Sequence, residues 1–532
     1  MLRRSVAQRS RWPPLEGGEH TAARSAICGA GQRGLLRAQS HRGARLARAD
    51  GERERVSGVA YDEVAAGYFE ARGLRRYAGV GSLWALGVGA VISGDFFGWQ
   101  FGLAAGGFGG MLLATVLVTA MYAGLCFSIA EMTAALPHTG GAYSFARSAM
   151  GPWGAYVTGL AENMEYILTP PVIVVGIGGY LGAIANAPAS SEPWFWLGTY
   201  ALFVGLNIAG VEASFRFTIF ITAVALAILV VFYAGAIPLF DLTNARMPGD
   251  DPWFTNRSAG VLASLPFAVW FYLAIEQLPL AAEEAHAPER DLPRGILLGL
   301  ATLIACSFLT LSLSVGIPPG AAVLAHSKEP LFESLRAIFG EGLHTKVLAL
   351  IAVAGLVASF HTIVFAYGRQ IFSLSRAGYF PRWLSVTHGR RQTPQRALLV
   401  GAVIGYVVAL EVRRSGPTHP VGAVLLNLAV FGAVISYALQ MLSFVLLRIR
   451  LPEIARPYRS PLGIPGAVVA LVISLVTLGS LFASDPIYRA VAIAALLWVA
   501  LGLVYFAVWG RHRLVKSPEE DFALRAARSE SP

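Results

Sequence analysis

Residues 83–98 read LWALGVGAVISGDFFG, an apolar run interrupted by Ser93-Gly94-Asp95. A bilayer has a hydrocarbon core ~30 Å thick, which ~20 helical residues span. A carboxylate at that depth costs at least ~2.5 kcal/mol, so Asp95 asks for a partner or a function. Gly87, Gly89, Gly94 and Gly98 let the backbone unwind or approach a neighbour closely. Unwound backbone at membrane depth survives only where protein buries it or it lines a cavity. This stretch therefore predicts a broken transmembrane helix beside a polar site.

The rest of the chain agrees. Of 532 residues, 55% are hydrophobic and 14% charged, against about 25% charged in soluble domains. Apolar segments of spanning length recur at 80–104, 110–136, 153–186, 193–211, 215–240, 258–281, 295–317, 345–374, 395–412, 421–447, 463–483 and 487–510. Alternating ten-residue segments, the mark of a membrane barrel, are absent. The fold class is thus all-α and polytopic, with twelve transmembrane helices.

The net charge of +10 suggests nucleic acid until it is located. Twelve arginines and five acids in residues 1–55 supply most of it, so nucleic-acid binding is set aside. Residues 1–76 read as a disordered Arg-rich tail. The next methionine after Met1 is Met111, and a start at a valine codon such as Val56 would remove most of the tail. Cys28, Cys126 and Cys306 are too few and too scattered for a disulfide framework or a metal cluster. The transporter domain covers 79–510, and 511–532 is a short charged tail.

Lysine and arginine in short loops set orientation. The turns after helices 2, 4, 6, 8 and 10 hold 14, including six from Arg369 to Arg396 and four from Arg448 to Arg459. Both termini are therefore expected in the cytoplasm. Helix 1 is interrupted at Ser93-Gly94-Asp95. Helix 6 carries Pro266 and Pro279 around Glu276. Matched irregular helices opening two halves, 80–240 and 258–447, point to a five-plus-five inverted repeat. Helices 11 and 12, 463–510, are additional.

Six ionisable groups lie at membrane depth: Asp95, Glu131, Glu162, Glu165, Glu276 and His361. No lysine or arginine is expected deep in a helix to pair with the acids, so the cation comes from outside, as substrate or proton. Asp95 either holds a substrate ammonium or caps the second half-helix. Glu162 and Glu165, three apart on one face of helix 3, either serve the site or reach a wet vestibule. Pro170-Pro171 is expected to bend that helix. Trp270, in Trp270-Phe271-Tyr272, suits a cation–π gate or ordinary packing. Glu276 is a lone acid, either proton-linked or a hydrogen-bond hub. His361 would relay protons or, more ordinarily, tie two helices as a neutral ring. Glu131, near a helix end, needs only loop pairing. Gly106 to Gly110 lacks the strand and Lys-Ser/Thr of a phosphate loop. It reads as a tight helix connection. No nucleophile–base pair suggests an enzyme, and no cofactor or metal is implied.

Four stretches carry a resemblance to the amino acid–polyamine–organocation superfamily, over roughly 79–510. They are Ala130-Glu131-Met132 with Leu136 to Tyr143, Ala282-Glu283-Glu284 with Pro288 and Pro293, Arg369 to Ser373 with Arg376, Gly378 and Pro381, and Arg456 to Arg459 with Pro461. Within it the chain is similar to the ethanolamine permeases, through Ser93 to Trp99, Leu136 to Arg147 and Gly159 to Pro170. That resemblance implies an inner-membrane permease of the five-plus-five fold. Ser93, Gly94, Asp95 and Phe96 would then lie in the helix 1 break, where amino acid members show a Gly-Ser-Gly-like sequence. Trp270, Leu273 and Glu276 fall where arginine–agmatine exchangers carry gate, contact and proton-linked residues. Ala274 stands where relatives have glycine, and helix 5 lacks the lysine some proton-coupled relatives use. The coupling ion, proton or sodium, stays open.

The expected function is alternating-access import of ethanolamine, an ammonium without a carboxylate. Asp95, Glu162 and Glu165 would face the amine with Trp270 and Leu273. Glu276, Glu165 and His361 are the proton-coupling candidates. The nearest rival is a permease for amino acids or other cationic amines, as symporter or exchanger. A channel or receptor for amines is a further class, which paired broken helices disfavour.

Overall fold

The computed structural model describes residues 58–516 apart from 186, 328, 416–419 and 484–485, and every regular element among them is a helix. Twelve are numbered here: α1 Val80–Phe96, α2 Phe101–Ala135, α3 Gly141–Ala185, α4 Glu192–Ala209, α5 Val211–Ala236 and α6 Arg257–Val269, then α7 Pro288–Val315, α8 Leu343–Arg376, α9 Gln395–Ser415, α10 Pro420–Arg450, α11 Gly463–Ala483 and α12 Pro486–Val508. Nine of these are long and apolar enough to cross a membrane, and α1 and α6 are shorter apolar helices. A 3-10 segment, Ile275–Glu284, follows α6, and two short helices, Ala321–Leu324 and Pro330–Phe339, precede α8.

The breaks fall close to, but not on, the expected residues. Ser93 to Phe96 form a helical turn, while Phe97 to Gln100 are non-helical and Gly98 has φ +102°. The opening at Ser93 is subtler. Ser359 of α8 accepts from the Ser93 N–H at 3.0 Å and donates to the Gly89 carbonyl at 3.0 Å. Its hydroxyl thus occupies the place of an i→i−4 bond. Beyond α6, Trp270 to Leu273 leave the helix and Ala274 takes φ +80° before the 3-10 segment. Glycine adopts that conformation freely, whereas alanine is strained by about 1–2 kcal/mol. The two breaks meet: a β-carbon on Gly94 would lie 1.9 Å from the Trp270 carbonyl oxygen.

Two glycine corners adjust other boundaries. Gly107, φ +70°, turns α2 where Gly106 to Gly110 suggested a tight connection. Gly151, φ +75°, divides α3 just before Pro152, the proper place for a proline opening a helix. The expected bend at Pro170-Pro171 gives no such break: past the opening residue Gly141, φ +51°, the non-helical dihedrals inside α3 are at Gly151.

Two expectations are corrected. Residues 58–76 do not form part of a free tail, although 1–57 lie outside the described residues. Asp62 pairs with Arg382 at 2.5 Å, and the Tyr68 hydroxyl donates to the Arg376 carbonyl at 2.9 Å. The Arg72 guanidinium lies 3.7 Å from the Tyr68 ring centre. Main-chain bonds add Ala60 N–H to Arg511 and Asp62 N–H to Leu514, both 2.8 Å, so this segment also binds residues 511–514. Composition missed this because anchoring by a few backbone and arginine contacts needs no apolar periodicity.

The second correction concerns internal cations. Arg369 lies inside α8, fully buried, and donates to fully buried Glu284 at 2.7 and 3.3 Å. Arg376 pairs with Glu283 at 2.5 Å. His138, in the α2–α3 connection, sits beside them. Gly140 N–H donates to its Nδ1 at 2.8 Å, and Arg376 Nη2 lies 2.9 Å from its Nε2, which is 3.6 Å from Glu283. Burial, then the guanidinium groups of Arg376 and Arg147, hold this ring well below the usual imidazole range. Glu131 accepts from Arg448 at 2.8 Å and from Ser460 N–H at 2.7 Å and is ion-paired with Arg456 at 3.1 Å, the loop pairing expected of it. The signature stretches thus fold into two ion-pair clusters.

Removing one partner from a buried pair strands the other charge. Arg369→Ala should therefore cost about 3–5 kcal/mol, with Arg369→Met/Glu284→Leu recovering most of it, read as thermal unfolding in detergent. Gly94→Ala should cost about 3 kcal/mol or more, because backbone rather than a side chain must move. Gly81→Ala, in the same helix with nothing within 4 Å, should leave the unfolding temperature unchanged or raise it.

Candidate functional site

Asp95 lies in the last turn of α1, its N–H bonded to Ile92 O at 3.1 Å. Its side chain is 1% exposed, and neither carboxylate oxygen makes a hydrogen bond among the described residues. Its neighbours are Thr310 and Cys306 of α7, Tyr233 of α5, and Tyr272 in the α6 break. Tyr233 and Thr310 hydroxyls are 2.8 Å apart. A buried carboxylate within electrostatic reach of two hydroxyls suits a small cation that also offers a hydrogen-bonding group. Thr310 and Tyr233 escaped the sequence reading because a lone hydroxyl in an apolar helix has no distinguishing pattern.

Glu162 and Glu165 part company in the fold. Gln370 of α8 donates to Glu162 at 2.7 Å, and the Ala142 and Tyr143 amides flank it. Glu162 is thereby engaged in tying α3 to α8. Glu165 instead lies against Glu276 of the 3-10 segment, and both are buried. Neither carboxylate, nor the buried Tyr166 hydroxyl beside them, makes a geometrically sound hydrogen bond among the described residues. Tyr437 and Tyr122 complete the surroundings, joined by a 2.9 Å hydroxyl bond. The expected grouping of Asp95 with Glu162 and Glu165 is therefore not what these neighbours describe: Asp95 faces α5 and α7, Glu165 faces Glu276.

Aromatic rings connect the two acidic places. Tyr272, beside Asp95, stacks on Tyr122 with ring centres 5.0 Å apart, and Tyr122 neighbours Glu276. Tyr272 is pinned through its hydroxyl to Ser307 and Thr119, each at 2.7 Å. Trp270 is buried, its ring packed on Gly98 and 6.1 Å from Phe97. Leu273 is buried in the same break. Phe96 turns to α8, where its ring fills the space a side chain at Gly355 would need.

His361 lies elsewhere. Its Nδ1 is 3.2 Å from Asn207 and its Nε2 3.1 Å from Ser214, with Phe203 and Phe217 against the ring. Both nitrogens serve the α4–α5–α8 junction, the helix-tying alternative. No group of three or more His, Cys, Asp or Glu among the described residues is placed to hold a metal.

Residues 82–518 match the model of the amino acid permease family. An uncharacterised transporter of Rhizobium meliloti (strain 1021) is 30% identical over 412 residues, 75% of this chain and 85% of that one. From Bacillus subtilis (strain 168), a branched-chain amino acid permease is 24% identical over 83% of this chain and 94% of its own. A methylthioribose transporter from the same organism is 23% identical, over 84% and 96%. Apolar helices around a few buried acids, and a family match that covers nearly all of them, lead to one conclusion: the chain belongs to the amino acid permease family, multi-pass membrane transporters rather than enzymes.

Proposed function

We propose that this permease imports ethanolamine by alternating access, in a twelve-helix bundle whose first ten helices form two inverted halves. The observation that carries the reading is Asp95: a buried, unbonded carboxylate at the junction of two interrupted helices. An ammonium would neutralise it, and the Thr310 and Tyr233 hydroxyls suit the substrate's own hydroxyl. An α-amino acid would bring a second carboxylate to the same break, against Asp95. Curated relatives bear the names of a branched-chain amino acid permease and a methylthioribose transporter, cargoes with and without a carboxylate. Family membership alone therefore leaves the cargo to the site. Arginine-rich turns favour both termini on the cytoplasmic side of the inner membrane.

Glu165 and Glu276 form the coupling site in this reading. Two carboxylates in contact away from water repel unless a proton or a cation lies between them. The Tyr272–Tyr122 stack gives a packed connection by which occupancy there alters Asp95's surroundings. Glu162 and His361, bonded within helix junctions, have structural roles.

Radiolabelled ethanolamine uptake into proteoliposomes tests the cargo. Saturable uptake should be lost in Asp95→Asn and resist competition by excess alanine, arginine and putrescine. Equal competition by alanine would instead favour the amino acid reading. For coupling, Glu276→Gln should abolish the response of uptake to an imposed pH gradient while ethanolamine counterflow persists. Uptake in the mutant that follows the gradient as in wild type would remove the acid pair from coupling.

A further inference from the structure

We infer that the corner between α4 and α5 holds the headgroup of an anionic phospholipid. A cleft of about 280 Å³ there is lined by Arg75, Arg216, Arg390 and Arg391. These come from three separate stretches: the segment before α1, the first turns of α5, and the loop before α9. A single residue, Gly210 at φ +146°, joins α4 to α5, so the α5 N-terminus opens directly into the cleft. Helix N-termini favour negative charge through their free amides and dipole.

The local charge is strongly positive. Glu212 is the single acid lining the cleft, and it is taken by Arg216 at 2.8 Å. Arg216 also donates to the Tyr77 hydroxyl at 3.3 Å. Arg75, Arg390 and Arg391 are exposed and make no side-chain hydrogen bond or ion pair among the described residues. Three guanidinium groups held together without acids repel one another unless an anion joins them.

The surface beside the cleft decides between a soluble anion and a lipid. One turn along α5 from Arg216, Ile219 and Phe220 are 40% and 62% exposed, on the same helix face. In α9, just past the arginine loop, Leu399 and Val403 are 53% and 64% exposed. Apolar side chains this exposed on spanning helices face acyl chains, which places the arginines at headgroup level. Basic pockets between helices at that level bind phosphate-bearing lipid heads. A bound head would join the segment before α1, the α4–α5 corner and the α8–α9 loop, elements of both proposed halves.

The full chain in detergent, assayed by native mass spectrometry, tests this with phosphatidylglycerol and phosphatidylcholine as probes. Wild type should retain phosphatidylglycerol preferentially. Each arginine near a membrane surface adds about fivefold to such binding. Arg75→Gln/Arg390→Gln/Arg391→Gln should then weaken it about 100-fold, and the corresponding triple lysine variant should keep most of it. Equal retention of both lipids, or an unchanged triple glutamine variant, would overturn the site. Displacement of phosphatidylglycerol by millimolar inorganic phosphate would overturn the lipid assignment in favour of a free anion.

Discussion

Gly94 has no side chain, and the Trp270 carbonyl fills the space one would take, 1.9 Å from where a β-carbon would be. That backbone contact brings the break in α1 against the break after α6. It also leaves Asp95, one residue on, facing inward among Thr310, Tyr233 and Tyr272 rather than toward lipid. Helices that crossed at this depth with ordinary side chains would stand 8–10 Å apart. No polar pocket built from main-chain breaks would then close. The remaining machinery is arranged around that approach: Ser359 substitutes for a lost helical bond in α1, and Trp270 packs its ring on Gly98.

Charge inside the bundle is distributed by whether it has a partner. Glu131, Glu283 and Glu284 are each matched with arginine, and Glu162 is held by Gln370. Those four have side-chain partners within the fold. Asp95 and the Glu165–Glu276 pair do not. Buried charge without a partner is costly, and in the proposed function this separates acids that hold the structure together from acids available to a substrate or ion. In the proposed function the same distinction sets His361 aside, since both its nitrogens are engaged.

The stretches with the most distinctive sequence are not the stretches that face the proposed cargo. His138, Glu283, Glu284, Arg369 and Arg376 form one cluster, and Glu131 with Arg448 and Arg456 another. Such motifs report the scaffold that a family shares. In the proposed function cargo is set by residues such as Thr310 and Tyr233, whose types carry no pattern. This is why the scaffold was legible at once, and why the proposed cargo rests on the geometry around Asp95.

Sequence alone determined the all-helical, membrane-embedded character, because apolar length and the obligation to bond the backbone internally are local properties. It also located the two interrupted helices, from Ser93-Gly94-Asp95 and from the prolines around Glu276, within a turn of where they break. Tertiary structure alone decided which acids are answered. Glu162 and Glu165 are neighbours on one helix, yet one meets Gln370 and the other Glu276. Arg369 looked like a loop residue and is a buried partner of Glu284. Residues 58–76 looked unstructured and are fastened to Arg376, Arg382 and Leu514. Each of these depends on what a distant segment brings within about 3 Å, the reach of a hydrogen bond, and periodicity along one chain does not encode that.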